Sequence, residues 1–218
     1  GGLTGVDCSS VAWGDYDSDG DLDFLISGKD SKGLFTKIVR NDNNVFSEVF
    51  SYFDKLSYGT TDWVDYDNDG DLDVMLTGQA SEGPVSKIYR NNKNIFNTQP
   101  SAPSGLASRL AGNEVTLSWA EATDTETLQD GLSYNLYIGT ASGIVNTKSP
   151  MSSLPGGYRK IVQRGPVQGS TWPAKRFPVG TYYWSVQSVD HNFTGSTFAT
   201  ESSFTILFTN SISPEADQ

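Results

Sequence analysis

One cysteine and one histidine in 218 residues leave little of the side chains that most often do chemistry or hold transition metals. A lone Cys8 excludes an internal disulfide and a cysteine metal cluster, and it is expected as a small apolar residue on the first strand. Basic residues are also scarce. Lys+Arg 15 against Asp+Glu 26 gives a net charge of −11, and without a Lys/Arg-rich run neither nucleic acid nor an anionic membrane surface is a fitting partner. No stretch approaches the ~18 apolar residues of a membrane span, and no signal peptide is visible. The chain opens on Gly-Gly rather than Met and is expected to be an excerpt or mature portion of a longer protein. Reaction motifs are missing too: G-x-S-x-G, H-E-x-x-H and G-x-G-x-x-G do not occur. His191, in VDHNFTG, is expected as an exposed or capping residue in a turn after a strand. The chain reads as non-enzymatic.

What is abundant is aspartate, and it is concentrated. DYDSDGDLD (15–23) returns as DYDNDGDLD (65–73), and these loops hold ten of the 26 acids. From Asp15 to Phe46, 17 of 32 positions are identical to those 50 residues later, Lys37/Lys87, Arg40/Arg90 and Asn41/Asn91 among them. A fixed period near 50 is a supersecondary unit repeated, each copy burying a face on the next. Within a unit the pattern is β: SVAWGDY enters the acidic loop, LDFLISG leaves it, and KIVRN and VFSEVF follow after short Gly- or Asn-containing breaks. Four short strands in a repeat of this length describe a propeller blade.

The loops suit a hard cation. Ca²⁺ takes 6–8 oxygen ligands at ~2.3–2.6 Å and tolerates irregular geometry. Aspartates at loop positions 1, 3 and 5 converge if the chain curls, and Gly20 and Gly70 sit where the curl needs φ > 0. Asp21 and Asp71 would then offer backbone carbonyls, and Asp23 and Asp73 close the cage. Two such ions would bring the charge to about −7. An EF-hand is excluded, because position 12 is Ile26 or Leu76 inside a strand rather than a bidentate Glu between helices.

WGDYDSDGDLDFLISG with KIVRN, and its second copy, resemble FG-GAP/VCBS repeats, the calcium-loop blades of integrin-α-type propellers. The resemblance covers about residues 3–98, with copies at about 1–50 and 51–98. It implies side-chain ligands Asp15, Asp17, Asp19 and Asp23, then Asp65, Asp67, Asp69 and Asp73, with the carbonyls of Asp21 and Asp71 completing each site. Such propellers close with about seven blades, whereas two are encoded. Further blades upstream, or packing of the pair against something else, are therefore expected, as is self-association through unpaired blade faces.

Past a Pro/Ser-rich linker (99–104) the alternation changes. EVTLSW, LSYNLYIG, GTYYWSVQSVD and SSFTILF predict about seven strands over 105–208, a β-sandwich. PSAPSGLASRL, EVTLSW, YNLYIG and GTYYWSVQSVD resemble a fibronectin type III-like domain, with Trp119 and Tyr134 in its core and Tyr182 or Tyr183 at a tyrosine corner. Residues 140–172 are long and Gly/Pro-rich for such a domain. Residues 209–218 read as a polar tail or linker. No 3.6-residue periodicity persists, so the fold class expected is all-β with almost no helix. Most tryptophans fall at core-facing positions, Trp172 being the candidate exposed platform.

The functional expectation is a calcium-binding, non-enzymatic fragment of a secreted or cell-surface protein, displaying or adhering to a protein or glycan ligand. The alternative is a carbohydrate-binding or accessory region of a secreted polysaccharide-degrading enzyme. Asn192-Phe-Thr194 is a formal glycosylation sequon.

Overall fold

A computed structural model describes residues 5–67, 69–92, 97–154 and 156–207. Among them the chain is all-β, with one 3₁₀ turn at Gln129–Gly131 and no helix long and apolar enough to cross a membrane. Strands β1 (Asp7–Gly14), β2 (Asp23–Asp30), β3 (Gly33–Asp42) and β4 (Val45–Val49) form an antiparallel meander. The β3–β4 link shows how locally this sheet is specified. Asp42 pairs with Val45, so Asn43 and Asn44 alone make the turn, at φ of 52° and 69°. Both central residues of a two-residue hairpin turn must be left-handed to match strand twist, and Asn tolerates that best after Gly.

Strands β5 (Ser57–Val64), β6 (Asp73–Ala80) and β7 (Gly83–Tyr89) repeat the plan. Even the irregularity is copied: the β1–β2 register shifts between Asp7 and Ser10, and β5–β6 between Ser57 and Thr60. Cys8 and Tyr58, the equivalent residues, both sit at φ 50°. The fourth strand expected in the second blade falls partly on 93–96, outside the described residues. Cys8 is on the first strand as expected but is exposed, because the bulge turns it away from the core.

The two sheets share one core, with Tyr16, Leu25, Ile38, Leu56, Trp63, Leu72, Val74 and Leu76 buried together. Each fully buried Leu, Ile or Val contributes roughly 1.5–3 kcal/mol relative to exposure. Polar contacts fix the alignment: Trp63 Nε1 donates to Ala12 O (3.2 Å), and Thr61 N to Ser10 Oγ (3.1 Å). No sheet closes on itself.

The second half has seven strands: β8 (Ser104–Ala111), β9 (Glu114–Ala120), β10 (Ser133–Gly139), β11 (Val167–Gln168), β12 (Thr171–Arg176), β13 (Gly180–Val189) and β14 (Ser202–Ile206). They form a three-stranded sheet, β12-β9-β8, and a four-stranded sheet, β11-β10-β13-β14. Alternate residues of both contribute to one core, with Val115, Leu117 and Trp119 meeting Tyr134, Leu136, Ile138, Trp184 and Val186. Trp119 lies 5.3 Å from Tyr134 and 6.3 Å from Trp184, ring to ring. Of the two candidate corner tyrosines it is Tyr182 whose hydroxyl donates to a backbone carbonyl upstream, Pro178 O at 3.2 Å.

Residues 140–166 carry only isolated bridges. Buried amides tie this stretch down instead of a ladder. Asn135 Nδ2 donates to Gln187 Oε1 (2.9 Å) and Ser152 Oγ (3.0 Å), while Gln187 Nε2 donates to Gly157 O and Ser196 O, each at 2.6 Å. Satisfied polar groups of this kind allow an irregular segment to be buried at little net cost.

One expectation about an aromatic residue fails, and one tryptophan departs from the core-facing majority. Trp172 is half-buried and packs on the sandwich core beside Phe177, so it is no exposed platform. Trp13 is 52% exposed although its repeat partner Trp63 is 2% exposed. Trp63 lies on the first sheet, whereas Trp13 meets Phe24 of its own sheet, at 5.0 Å, and borders a cavity with Arg164, His191 and Phe193.

Candidate metal centre

Each acidic loop joins the first two strands of its sheet, and the same bonds hold both. Tyr16 N and Asn41 N donate to the two oxygens of Asp23 (3.0 and 2.8 Å). Tyr66 N and Asn91 N do the same for Asp73 (3.1 and 2.8 Å). The ninth-position aspartate is thus a brace between loop and third strand, in addition to any role toward an ion. Asn41 and Asn91 Nδ2 reach Leu22 O and Leu72 O, each at 3.3 Å. Inside the loops, Asp19 Oδ1 accepts from Asp21 N (3.1 Å) and Asp69 Oδ1 from Asp71 N (3.3 Å). Gly20 and Gly70 have the same φ, 93°, which side-chain-bearing residues rarely adopt.

Carboxylate oxygens of Asp15, Asp17 and Asp19 lie within 4.8 Å of one another, as do those of Asp65, Asp67 and Asp73. Asp21 stands apart, its carboxylate accepting from Asn43 N at 2.6 Å. Asp71 is buried. Burial pushes Asp15 and Asp23 up to about 7, because an ionised carboxylate loses hydration there and neighbouring aspartates add repulsion. Asp71 is pushed up to about 7 by burial and by Asp69, and burial raises Asp73. Asp69 goes the other way, held down chiefly by Arg90.

The repeated arginines were visible in the sequence only as matched letters. Arg40 Nε lies 3.0 Å from Asp17 Oδ2, and its Nη2 lies 3.3 Å from Asp19 Oδ2. Arg90 sits likewise on Asp67 (2.8 Å) and Asp69 (2.9 Å). Each guanidinium thus clasps one oxygen of the third- and fifth-position carboxylates from outside. The R-N dipeptide recurring at an offset of 50 was the signal: arginine clamps the loop and asparagine braces it.

The donor set fits a hard divalent cation. It consists of carboxylate oxygens alone, several of them buried, with ligand atoms converging and Asp67 Oδ1 and Asp71 Oδ1 buried without a hydrogen-bond partner among the described residues. One arginine per loop balances part of the charge. A cation held there could balance the rest.

Residues from the far half of the chain complete the first loop, and no sequence spacing marked them. His191 is buried, not exposed: its Nδ1 lies 3.2 Å from Gly20 O, and Arg164 Nη2 lies 3.4 Å from its Nε2. Burial, then Arg164, lowers its pKa, so the neutral ring donates from Nδ1 and accepts at Nε2. Asn192 is 4% exposed, and its Nδ2 donates to Asp15 O (2.9 Å) and Ser18 Oγ (3.1 Å). In this fold the sequon nitrogen is sealed against glycosylation. Phe193, at φ 63°, packs with Val162 against the core that the first two sheets share. The first loop is therefore covered on its Gly20 side, while Asp19 stays exposed. The second borders a cavity of about 300 Å³ lined by Asp65, Asp69, Gly70, Arg159 and Asn192.

No protein-family model matches the chain, and no curated protein matches it.

Proposed function

We propose that this chain is a calcium-stabilised, non-enzymatic module of an extracellular or cell-surface protein, built from two propeller-type blades and a fibronectin type III-like sandwich and serving adhesion or ligand display. The observation that carries the calcium reading is the duplicated loop: the same carboxylates, braced by the same backbone donors and the same arginine, 50 residues apart. Asp15, Asp17, Asp19 and Asp23 would hold one ion, and Asp65, Asp67, Asp69 and Asp73 the other, with Asp21 and Asp71 contributing main-chain oxygen. The ion's role is structural. It supplies the positive charge that lets buried carboxylates stay ionised, and so fixes the curl between two strands.

Extracellular modules of this kind bind Ca²⁺ at ~10⁻⁴–10⁻³ M, which fits a compartment where calcium is millimolar. At tenfold excess over Kd one site stabilises the fold by about 1.4 kcal/mol. Calorimetric titration is expected to give two ions per chain, and Asp19→Ala or Asp69→Ala one each. EGTA is expected to lower the melting temperature of the first half. Identical melting with and without calcium, with no ion bound, would sink the reading.

The sandwich tyrosine bond, its three- and four-stranded sheets and its shared Trp119–Trp184 core support the fibronectin-like part. With Trp172 packed inward, no observation favours the accessory-region alternative. Immobilised cell-surface proteins and a glycan array tested side by side distinguish the two classes of ligand.

A further inference from the structure

The two loops share a sequence but not a setting. A Cβ on Gly70 would meet nothing within 4 Å, whereas one on Gly20 would lie 2.1 Å from Glu126 O of the sandwich. The turn after β13 does more than touch. His191 and Asn192 take the main-chain carbonyls of Gly20 and Asp15 and the Ser18 hydroxyl, which belong to three of the loop's first six residues. Thr127, beside Glu126, accepts from His191 N at 3.2 Å, and Asp190 Oδ1 accepts from Thr194 N at 2.7 Å, so the turn is itself held rigid.

We infer that His191 and Asn192 are positioning residues for the first calcium site, which makes the two sites unequal: the first tight and slow to release its ion, the second open and fast. The inference rests on the calcium reading above. Its physical basis is preorganisation. A loop whose carbonyls are already tied down loses less conformational freedom when its carboxylates converge on an ion. The sandwich also closes the Gly20 side of the site, which narrows the ion's exit to the side of the exposed Asp19. Among the described residues nothing caps Gly70, and the cavity that separates the second loop from Arg159, Phe193 and Thr194 of the sandwich gives water access to Asp65 and Asp69. By linkage, calcium at the first site strengthens the docking of sandwich on blade by the same factor that docking strengthens calcium.

The test uses the full chain, loaded with calcium and mixed with the fluorescent chelator Quin-2 in a stopped-flow instrument. Two release phases of equal amplitude are expected, at least tenfold apart in rate. Asp17→Ala should remove the slow phase and Asp67→Ala the fast one, which assigns them. Asn192→Asp keeps the size of the side chain but removes the donor to Asp15 O and Ser18 Oγ. It should speed the slow phase about tenfold, the worth of one or two lost hydrogen bonds, and change the fast phase far less, although Asn192 also borders the cavity beside the second loop. His191→Gln, which retains a donor, should speed it less than His191→Ala. A merely structural defect would move both phases together.

Equal rates in the wild type, or equal acceleration of both phases by Asn192→Asp, overturns the inference. A wild type that releases no calcium at all overturns the underlying calcium reading instead, and is recognised before any variant is made. Should Asn192→Asp not fold, Thr127→Val provides a second route. It removes the acceptor for His191 N from outside the turn and is expected to accelerate the slow phase alone.

Discussion

Trp13 and Trp63 occupy the same position in two copies of one repeat, yet one is half open to solvent and the other is sealed in a core. The acidic loops two residues further on show the reverse. The first is roofed by the sandwich, and the second lies beside a cavity. Closely matched sequence therefore produces matched backbone geometry, down to a shared bulge and a shared glycine φ. Burial is decided by what lies alongside. In the first copy the sandwich caps the loop glycine and the tryptophan stays half open; in the second a cavity separates loop from sandwich and the tryptophan is buried.

The largest break of this comparison is expected at the tryptophans. Trp63→Ala removes a side chain that packs on Tyr16 and bonds Ala12 O, and should cost about 3–5 kcal/mol in urea denaturation. Trp13→Ala loses little beyond its contact with Phe24 and should cost about 1 kcal/mol. Similar losses for the two would mean that something covers Trp13 in solution, and sedimentation would identify a second copy as the cover.

A smaller split is expected at the glycines. Gly70→Ala forces a left-handed alanine into open space, for about 1–2 kcal/mol. Gly20→Ala carries the same strain plus a collision with Glu126 O. It should destabilise by more than its twin and loosen the sandwich from the first sheet, which limited proteolysis near residues 99–103 would report.

The least effect is expected from pH, since local opening lets water reach the loops and softens the penalty of burial. Asp15 and Asp23 have folded values of about 7 against an ordinary 3.8. Between those values the folded chain binds more protons than the unfolded one. Their contribution is thus fully present below about pH 3.8 and is lost as pH rises through about 7. In chelator this contribution makes the protein less stable at pH 8 than at pH 5. Calcium requires the ionised form, so the melting gain on adding it should grow over that interval. His191 has the opposite sign, its stabilisation present above about 6.5 and lost as pH falls, because its folded value is lowered. Its bond to Gly20 couples it to the first loop, so the same two curves taken on His191→Gln isolate the carboxylates.

Much of this was legible before any coordinates. The strand–loop–strand order, the Asn43-Asn44 turn, the seven later strands and the near absence of helix follow from alternation and turn chemistry, which act over a few residues. The acidic loops were legible because ligand spacing and a glycine sit within nine positions. Arg40 and Arg90 were half legible, as repeated letters without a role. His191 and Asn192 were not legible at all. They reach Gly20 and Asp15 across more than 170 residues, and no local spacing records a contact of that range.

By itself, then, the sequence determined two copies of a carboxylate loop, the strands on either side of it and a separate sandwich. Those depend on backbone preference and on side chains close in the chain. Only the tertiary structure decided that Trp172 turns inward, that Trp13 stays exposed, and that a turn of the sandwich closes one loop of a matched pair. Burial is a property of neighbours, and neighbours from distant parts of the chain are brought together only when the halves pack.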